Sequence, residues 1–128
     1  MSVAGQLELK LPPEPSSVAR ARSHVLDALA DDVDGSQLET VRLLISELVT
    51  NAVRHGSNGR APIELHAHWN SMVRVEVIDH GHGFTPAPRN AGHDEPGGYG
   101  LFLVGTLADR WGVSTNDCTT VWFELETV

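Results

Sequence analysis

The chain of 128 residues contains one cysteine, Cys118, which excludes an intramolecular disulfide and any Cys-x-x-Cys pair for metal or redox chemistry. It also lacks a run of about 18 apolar residues that would span a bilayer. The first residues, MSVAGQLELKLPPEPSS, show neither the basic nor the apolar region of a signal peptide. These absences predict a cytoplasmic chain without a membrane anchor of its own.

Basic residues are few and scattered. The 9 Lys and Arg stand against 17 Asp and Glu, which gives a formal net charge of −8. Nucleic acid is bound by clustered basic residues, so neither nucleic acid nor a membrane is a predicted partner. The length predicts a single domain over residues 1–128, large enough to bury roughly two thirds of the surface that the unfolded chain exposes.

The first half of the chain reads as a strand followed by two helices. QLELKL alternates apolar and polar residues and predicts a short strand, after which PPEPSS supplies Ser16 or Ser17 as the cap of a first helix. DDVDGS ends that helix, and Ser36 is predicted to cap a second, longer one that stops at Gly56.

The second half predicts a hairpin, a helix and two further strands. PIELHAHW and MVRVEVID both alternate with period two and are separated by Asn70 and Ser71, which suits a tight turn. After a Gly- and Pro-rich stretch, GLFLVGTLADR predicts a helix, and WGVST and TTVWFEL predict strands. The order β-α-α-β-β-α-β-β predicts an α+β fold, a two-layer sandwich with about three helices on one face of a mainly antiparallel sheet.

Three polar blocks interrupt these patterns. They are Glu47 and Asn51 in ISELVTNAVRHG, Asp79, Gly81 and Gly83 in DHGHG, and Gly98 and Gly100 in GGYG. Glu47 and Asn51 stand four residues apart and therefore share one face of their helix, where both could bind one ligand. Each block alone also has an ordinary explanation, as a solvent-facing helix surface or as a glycine turn.

In this order and spacing, the blocks resemble the N, G1 and G2 boxes of the GHKL ATP-binding superfamily, whose fold is called the Bergerat fold. More narrowly, LLISELVTNAVRHG, VEVIDHGHGF, GGYGLFLVGTLADRWGV and TTVWFEL resemble the stand-alone anti-sigma-factor serine kinases. The resemblance covers nearly the whole chain. It implies an ATP-binding regulatory protein that binds a sigma factor or similar regulator and phosphorylates an antagonist protein on Ser or Thr.

The resemblance also implies roles for individual residues. The amide oxygen of Asn51 would be a ligand of Mg²⁺, a cation that needs few protein oxygens when ATP supplies others. Glu47 would orient or deprotonate the attacking hydroxyl. Asp79 would anchor adenine by accepting a hydrogen bond from its exocyclic amine, which selects adenine over guanine.

The remaining site residues implied by the resemblance surround the nucleotide. Gly81 and Gly83 would let the backbone approach it closely, since a Cβ would intrude. Gly98, Gly100 and Leu101 would open a helix whose free N–H groups suit phosphate oxygens. Thr120 matches the threonine that lies near adenine in this family, although a threonine is also ordinary in a strand.

One departure bears on catalysis. Many relatives carry an arginine within or just before the second glycine pair, where it meets the γ-phosphate, whereas this chain has Pro96 and Tyr99 there. Arg89 and Arg110 are the nearest replacements. Two functions therefore stay open: a serine/threonine protein kinase, or a nucleotide-gated protein-interaction module without catalysis.

Two smaller features have no assigned role. The pairs His66 with His68 and His80 with His82 have no cysteine partner and no evident third ligand, so a metal site there is not predicted. A homodimer, formed through the first helix or the N-terminal strand, stays open as well.

Overall fold

The computed structural model describes residues 4–55, 61–80 and 101–127, and these residues form five strands and three helices. The elements are β1 (Gly5–Leu11), α1 (Ser16–Leu29), α2 (Gly35–His55), β2 (Ile63–Trp69), β3 (Met72–Asp79), α3 (Phe102–Leu107), β4 (Arg110–Thr115) and β5 (Thr119–Glu126). Their order is the one that the sequence predicts.

The five strands form one antiparallel sheet in the order β1-β2-β3-β5-β4. The predicted hairpin between β2 and β3 is confirmed, with Asn70 and Ser71 at the turn, where the Met72 amide donates to Asn70 Oδ1 over 3.2 Å. Strand β3 is central, and Asp79 is its last residue. The sheet therefore carries Asp79 at the end of its middle strand.

The helices cover one face of the sheet. Helix α1 packs on β1, α2 packs on β3, and the two helices pack on each other. Buried apolar side chains such as Leu65, Val75 and Phe123, all 0% exposed, fill the space between the layers. The predicted two-layer α+β sandwich is thereby confirmed. Among the described residues, no helix is long and apolar enough to cross a membrane.

The start of α2 differs from the prediction. Asp34, rather than Ser36, caps this helix, because its Oδ1 accepts from the Gln37 amide over 3.0 Å and from the Ser36 hydroxyl over 3.0 Å. The hydrogen bond from the Gln37 amide, helped by the Ser36 hydroxyl, lowers the pKa of Asp34. A carboxylate is favoured here because it also meets the positive end of the helix dipole.

The start of α1 is also different. Pro15 occupies the cap position, and no side chain makes a capping hydrogen bond. The hydroxyl of Ser17 instead donates to the Pro12 carbonyl over 2.5 Å, which ties the helix to the loop that precedes it. The predicted serine caps, Ser16 or Ser17 here and Ser36 at α2, are therefore wrong.

Each edge strand places a glycine opposite a tryptophan of its neighbour. Gly5 pairs with Trp69, and Gly112 pairs with Trp122. A Cβ on Gly5 would lie 2.4 Å from Trp69 Cζ2, and one on Gly112 would lie 2.8 Å from Trp122 Cζ2. Both indole rings thus lie over the bare glycine backbone, which explains why these two positions lack a side chain.

Candidate functional site

One face of α2 carries three polar side chains toward the end of the helix. Glu47, Asn51 and Arg54 follow at intervals of four and three residues, so they form a row on the helix surface. Asn51 is 7% exposed, Glu47 is half-buried and Arg54 is exposed. Exposure along the row therefore falls from Glu47 to Asn51 and rises again at Arg54.

The side-chain oxygen of Asn51 has an unusual environment. Asn51 Oδ1 is buried and has no hydrogen-bond partner among the residues that the structure describes. A buried amide oxygen without a partner costs free energy, of the order of 1–3 kcal/mol, which a bound ion, water or ligand would recover. A neutral oxygen ligand held in place is what Mg²⁺ accepts, so Asn51 fits the predicted magnesium site.

Glu47 is shifted toward the protonated form. Burial raises the pKa of the Glu47 carboxyl above its ordinary value of 4.5, and attraction to the Arg54 guanidinium opposes that rise in part. A carboxylate with a raised pKa is a stronger base, and Glu47 lies one helical turn before Asn51. This arrangement suits removal of a proton from a hydroxyl bound close to the metal ligand.

Asp79 lies on the helix-facing side of the sheet. The side chains of Val73, Val75, Val77 and Asp79 alternate into the core, and Asp79 is 8% exposed. In the ladder between β3 and β5, Asp79 is paired with Thr119. Directly paired residues of an antiparallel sheet share a face, so Thr119 lies beside Asp79 on the inner side.

Helix α2 brings Asn51 toward the same end of the sheet as Asp79. At its start, Gln37 Nε2 donates to the Glu126 carbonyl over 2.7 Å, and Glu126 pairs with Met72 at the beginning of β3. From Gln37 to Asn51 the helix rises about 21 Å, and from Met72 to Asp79 the strand rises about 23 Å. Because α2 packs on β3, these two rises bring Asn51 and Asp79 to similar heights at the same end of the sheet.

Thr120 does not share this site. It pairs with Ile78 in the same ladder, and both face away from the helices. Thr119, and not Thr120, is therefore the threonine that shares a sheet face with Asp79, and the predicted role of Thr120 near adenine stays a prediction. The sequence did contain the signal, because Thr119 continues the alternation of Val121, Phe123 and Leu125, which all point to the core.

The segment after the second glycine block is shorter than predicted. Helix α3 spans only Phe102–Leu107 because Ala108 is extended, with ψ at 151°. Leu101 occupies the position before the helix, is 7% exposed, and accepts from the Gly105 amide over 3.0 Å. The predicted ligands Gly81, Gly83, Gly98 and Gly100 lie outside the described residues, as do Arg89, Pro96 and Tyr99.

Arg110 is not available to replace the missing arginine. It belongs to β4 rather than to the preceding helix, and its Nε donates to Glu124 Oε1 over 2.7 Å. Glu124 lies on the outer face of the sheet, where it also accepts from Arg74. The Arg110 side chain is therefore directed away from Asp79, whereas Arg54 shares a helix face with Glu47 and Asn51.

The family model for the histidine kinase-like ATPase domain matches residues 11–125, which include Glu47, Asn51 and Asp79. The chain belongs to the histidine kinase-like ATPase domain family. This membership agrees with the sandwich of helices on an antiparallel sheet.

Several curated relatives of this ATPase domain share one name. The chain is 31% identical to the serine-protein kinase RsbW of Bacillus velezensis, over 90% of this chain and 81% of that protein. It is 30% identical to the protein of the same name from Listeria innocua, over 81% of this chain and 76% of that one. The corresponding Bacillus subtilis protein is 29% identical over 92% of this chain.

A solved structure is also similar. It is the crystal structure of the RsbU and RsbW domains of a Mycobacterium tuberculosis protein, with a TM-score of 0.76 and 23% identity over 95% of this chain. The chain spans 32% of the length of that solved chain. At this identity, the likeness supports the fold of the ATPase domain.

Proposed function

We propose that the protein binds ATP with Mg²⁺ between α2 and the end of β3, and that it transfers the γ-phosphoryl group to a serine or threonine of a partner protein. The observation that carries this proposal is the buried Asn51 Oδ1 without a partner among the described residues, one turn after a carboxylate with a raised pKa. The relatives named as serine-protein kinases support the choice of reaction.

Three side chains would divide the chemistry. Asp79 would accept a hydrogen bond from the adenine amine, with Thr119 beside it on the same face. Asn51 would hold Mg²⁺, which neutralises phosphate charge when it is bound. Glu47 would accept the proton from the attacking hydroxyl of the substrate protein, and Arg54 would limit how far burial raises the pKa of Glu47.

We further propose the regulatory setting of this reaction. The kinase would bind a sigma factor or a similar regulator and would phosphorylate an antagonist of that binding, as the family resemblance implies. Residues 1–128 would act as one ATP-binding domain, and because ATP is an intracellular substrate, the site of action would be the cytoplasm.

A second candidate function has a specific observation in its favour. Arg110 pairs with Glu124 on the outer face, so it does not supply a positive charge to the γ-phosphate. Removal of such an arginine costs roughly 10³–10⁵ in the rate of phosphoryl transfer in other enzymes. Unless Arg54 or Arg89 supplies that charge, the protein would bind ATP and change its affinity for a partner without appreciable transfer.

We also propose that two copies of the chain associate through β1. This strand lies at the edge of the sheet, and within the described residues only β2 pairs with it. Its inward-facing Leu7 and Leu9 are only partly buried, so pairing with another strand would cover them further. An exposed strand edge offers unpaired backbone groups to a second copy.

The deciding experiment is calorimetric titration of ATP and ADP, with and without Mg²⁺, into the wild type, Asn51→Ala and Asp79→Asn. We expect the wild type to bind both nucleotides, Asp79→Asn to abolish binding, and Asn51→Ala to lose the effect of Mg²⁺ on ATP affinity. Lack of nucleotide binding by the wild type would disprove the proposal. Transfer of phosphate to genomically neighbouring antagonist proteins then separates the kinase from the non-catalytic module.

A further inference from the structure

A cluster of ionisable side chains lies on the outer face of the sheet, behind the end of β3. Glu64 Oε2 lies 3.1 Å from His80 Nε2, and Glu64 Oε1 lies 3.4 Å from His66 Nε2. Lys10 of β1 pairs with Glu64 in the ladder, and Glu76 of β3 pairs with His66. In the part of the chain that is described, no three acidic, histidine or cysteine side chains are arranged to hold a metal ion.

The contact between Glu64 and His80 links β2 to the chain just beyond the last backbone pair of β2 and β3. The last pair between β2 and β3 is Glu64 with Ile78, so Asp79 and His80 extend beyond it. On the other side, Asp79 is still paired with Thr119 of β5. The Glu64 side chain therefore ties β2 to the residue immediately after Asp79, at a point where the backbone ladder no longer does so.

We propose that Glu64 is a positioning residue for the nucleotide site: through His80, it holds the end of β3 so that Asp79 stays in place beside Thr119. This inference rests on the proposed function, because Asp79 is the adenine ligand of that proposal.

The charge state of Glu64 supports this assignment. Partial burial raises the pKa of Glu64, but the hydrogen bonds with His80 and His66 outweigh it and lower the pKa below its ordinary value of 4.5. These contacts therefore favour the charged form of the Glu64 carboxylate.

The chain offers a matched pair of variants, because both imidazoles contact Glu64 but only His80 adjoins Asp79. We expect His80→Ala to weaken ATP and ADP binding equally, by about two- to fivefold. His66→Ala should bind as the wild type does. Glu64→Gln keeps an acceptor oxygen for His80 but loses the charge, so it should weaken nucleotide binding less than His80→Ala does.

A measurement without nucleotide separates this inference from the proposed function. Amide hydrogen exchange at Asp79, followed by NMR, should be faster in His80→Ala than in the wild type and unchanged in His66→Ala. If the wild type binds no nucleotide, the proposed function fails, and the exchange rates still decide the positioning role. Unchanged exchange in His80→Ala, or equal acceleration in both variants, would overturn it.

Discussion

Thr119 lies directly opposite Asp79 in the ladder between β3 and β5, and Thr120 lies opposite Ile78 on the other face. Two adjacent residues of the same type therefore have opposite relationships to the candidate site. A hydroxyl on the inner face can hydrogen-bond to a base or to a water beside Asp79, whereas a hydroxyl on the outer face cannot.

The first prediction compares these two threonines. Thr119→Val keeps the shape of the side chain and removes the hydroxyl, so adenine nucleotide affinity should fall by about two- to tenfold, the value of one hydrogen bond. Thr120→Val is the matched control and should bind as the wild type does. Calorimetry at one pH with ATP and with ADP measures both, and equal losses in the two variants would contradict the assignment.

Most helices and strands could be predicted from the sequence because apolar residues repeat at the periods of helices and strands. The shared helix face of Glu47 and Asn51 could also be predicted, because residues four apart on a helix lie on one side of it. The choice between Thr119 and Thr120 depends on strand register, in which a shift of one residue reverses the face. The caps were misassigned because Asp34 and Ser36 both suit a helix start, and the backbone decides between them.

The second prediction concerns the cost of keeping Glu47 charged. Because burial raises the pKa of Glu47, its charged form is disfavoured in the folded state. Glu47→Gln should therefore raise the melting temperature near neutral pH. This gain should shrink as the pH falls through the pKa of Glu47 in the folded protein, and it should vanish below 4.5, the ordinary pKa of a glutamate. The same variant should lower phosphate transfer by about 100-fold or more while ATP still binds.

Glu39 provides the control for that measurement on the same helix. Its carboxylate accepts hydrogen bonds from Arg42, which lower the pKa of Glu39. Glu39→Gln should therefore reduce stability near neutral pH, or leave it unchanged where solvent screens the pair, and should not affect phosphate transfer. A lower melting temperature for Glu47→Gln than for the wild type near neutral pH would show that Glu47 stabilises the fold.

The third prediction uses the glycines that face tryptophans. Gly112→Ala would place a Cβ 2.8 Å from Trp122 Cζ2, and the Trp122 ring is itself stacked against Arg74, with 4.2 Å between the guanidinium carbon and the ring centroid. We expect a loss of about 1–3 kcal/mol in the free energy of unfolding, measured by urea denaturation. In a protein that already carries Trp122→Ala, the further substitution Gly112→Ala should cause no such loss.

Gly35 supplies the opposite case. It is the first residue of α2, and a Cβ there would meet nothing within 4 Å. Gly35→Ala should therefore stabilise the protein by about 0.4–1 kcal/mol, because alanine restricts the unfolded chain more than glycine does. Destabilisation by both substitutions would show that contact with Trp122 is not what sets the cost at Gly112.

The fourth prediction fixes the register of the proposed association through β1. Side chains alternate between faces, and paired residues of the two copies must point to the same face. The allowed antiparallel registers are therefore shifted from one another by two residues. If the two-fold axis between the strands passes through Glu8 or through Lys10, that residue lies opposite its own copy, so like charges meet. If the axis passes through Leu9, Glu8 of each copy lies opposite Lys10 of the other, and Leu7 lies opposite Leu11. The charge pattern therefore favours this register.

This register can be tested by exchanging charges on exposed side chains. Glu8→Lys alone and Lys10→Glu alone each create two like-charge contacts, so each should raise the dimer dissociation constant by about tenfold or more in analytical ultracentrifugation. An equimolar mixture of these two variants should recover the association, because the β1 strand with two basic side chains then faces the β1 strand with two acidic ones. The double variant with both charges exchanged should pair with itself. A monomeric wild type, or a mixture no tighter than its components, would rule out pairing in this register, because only complementary charges across β1 predict that recovery.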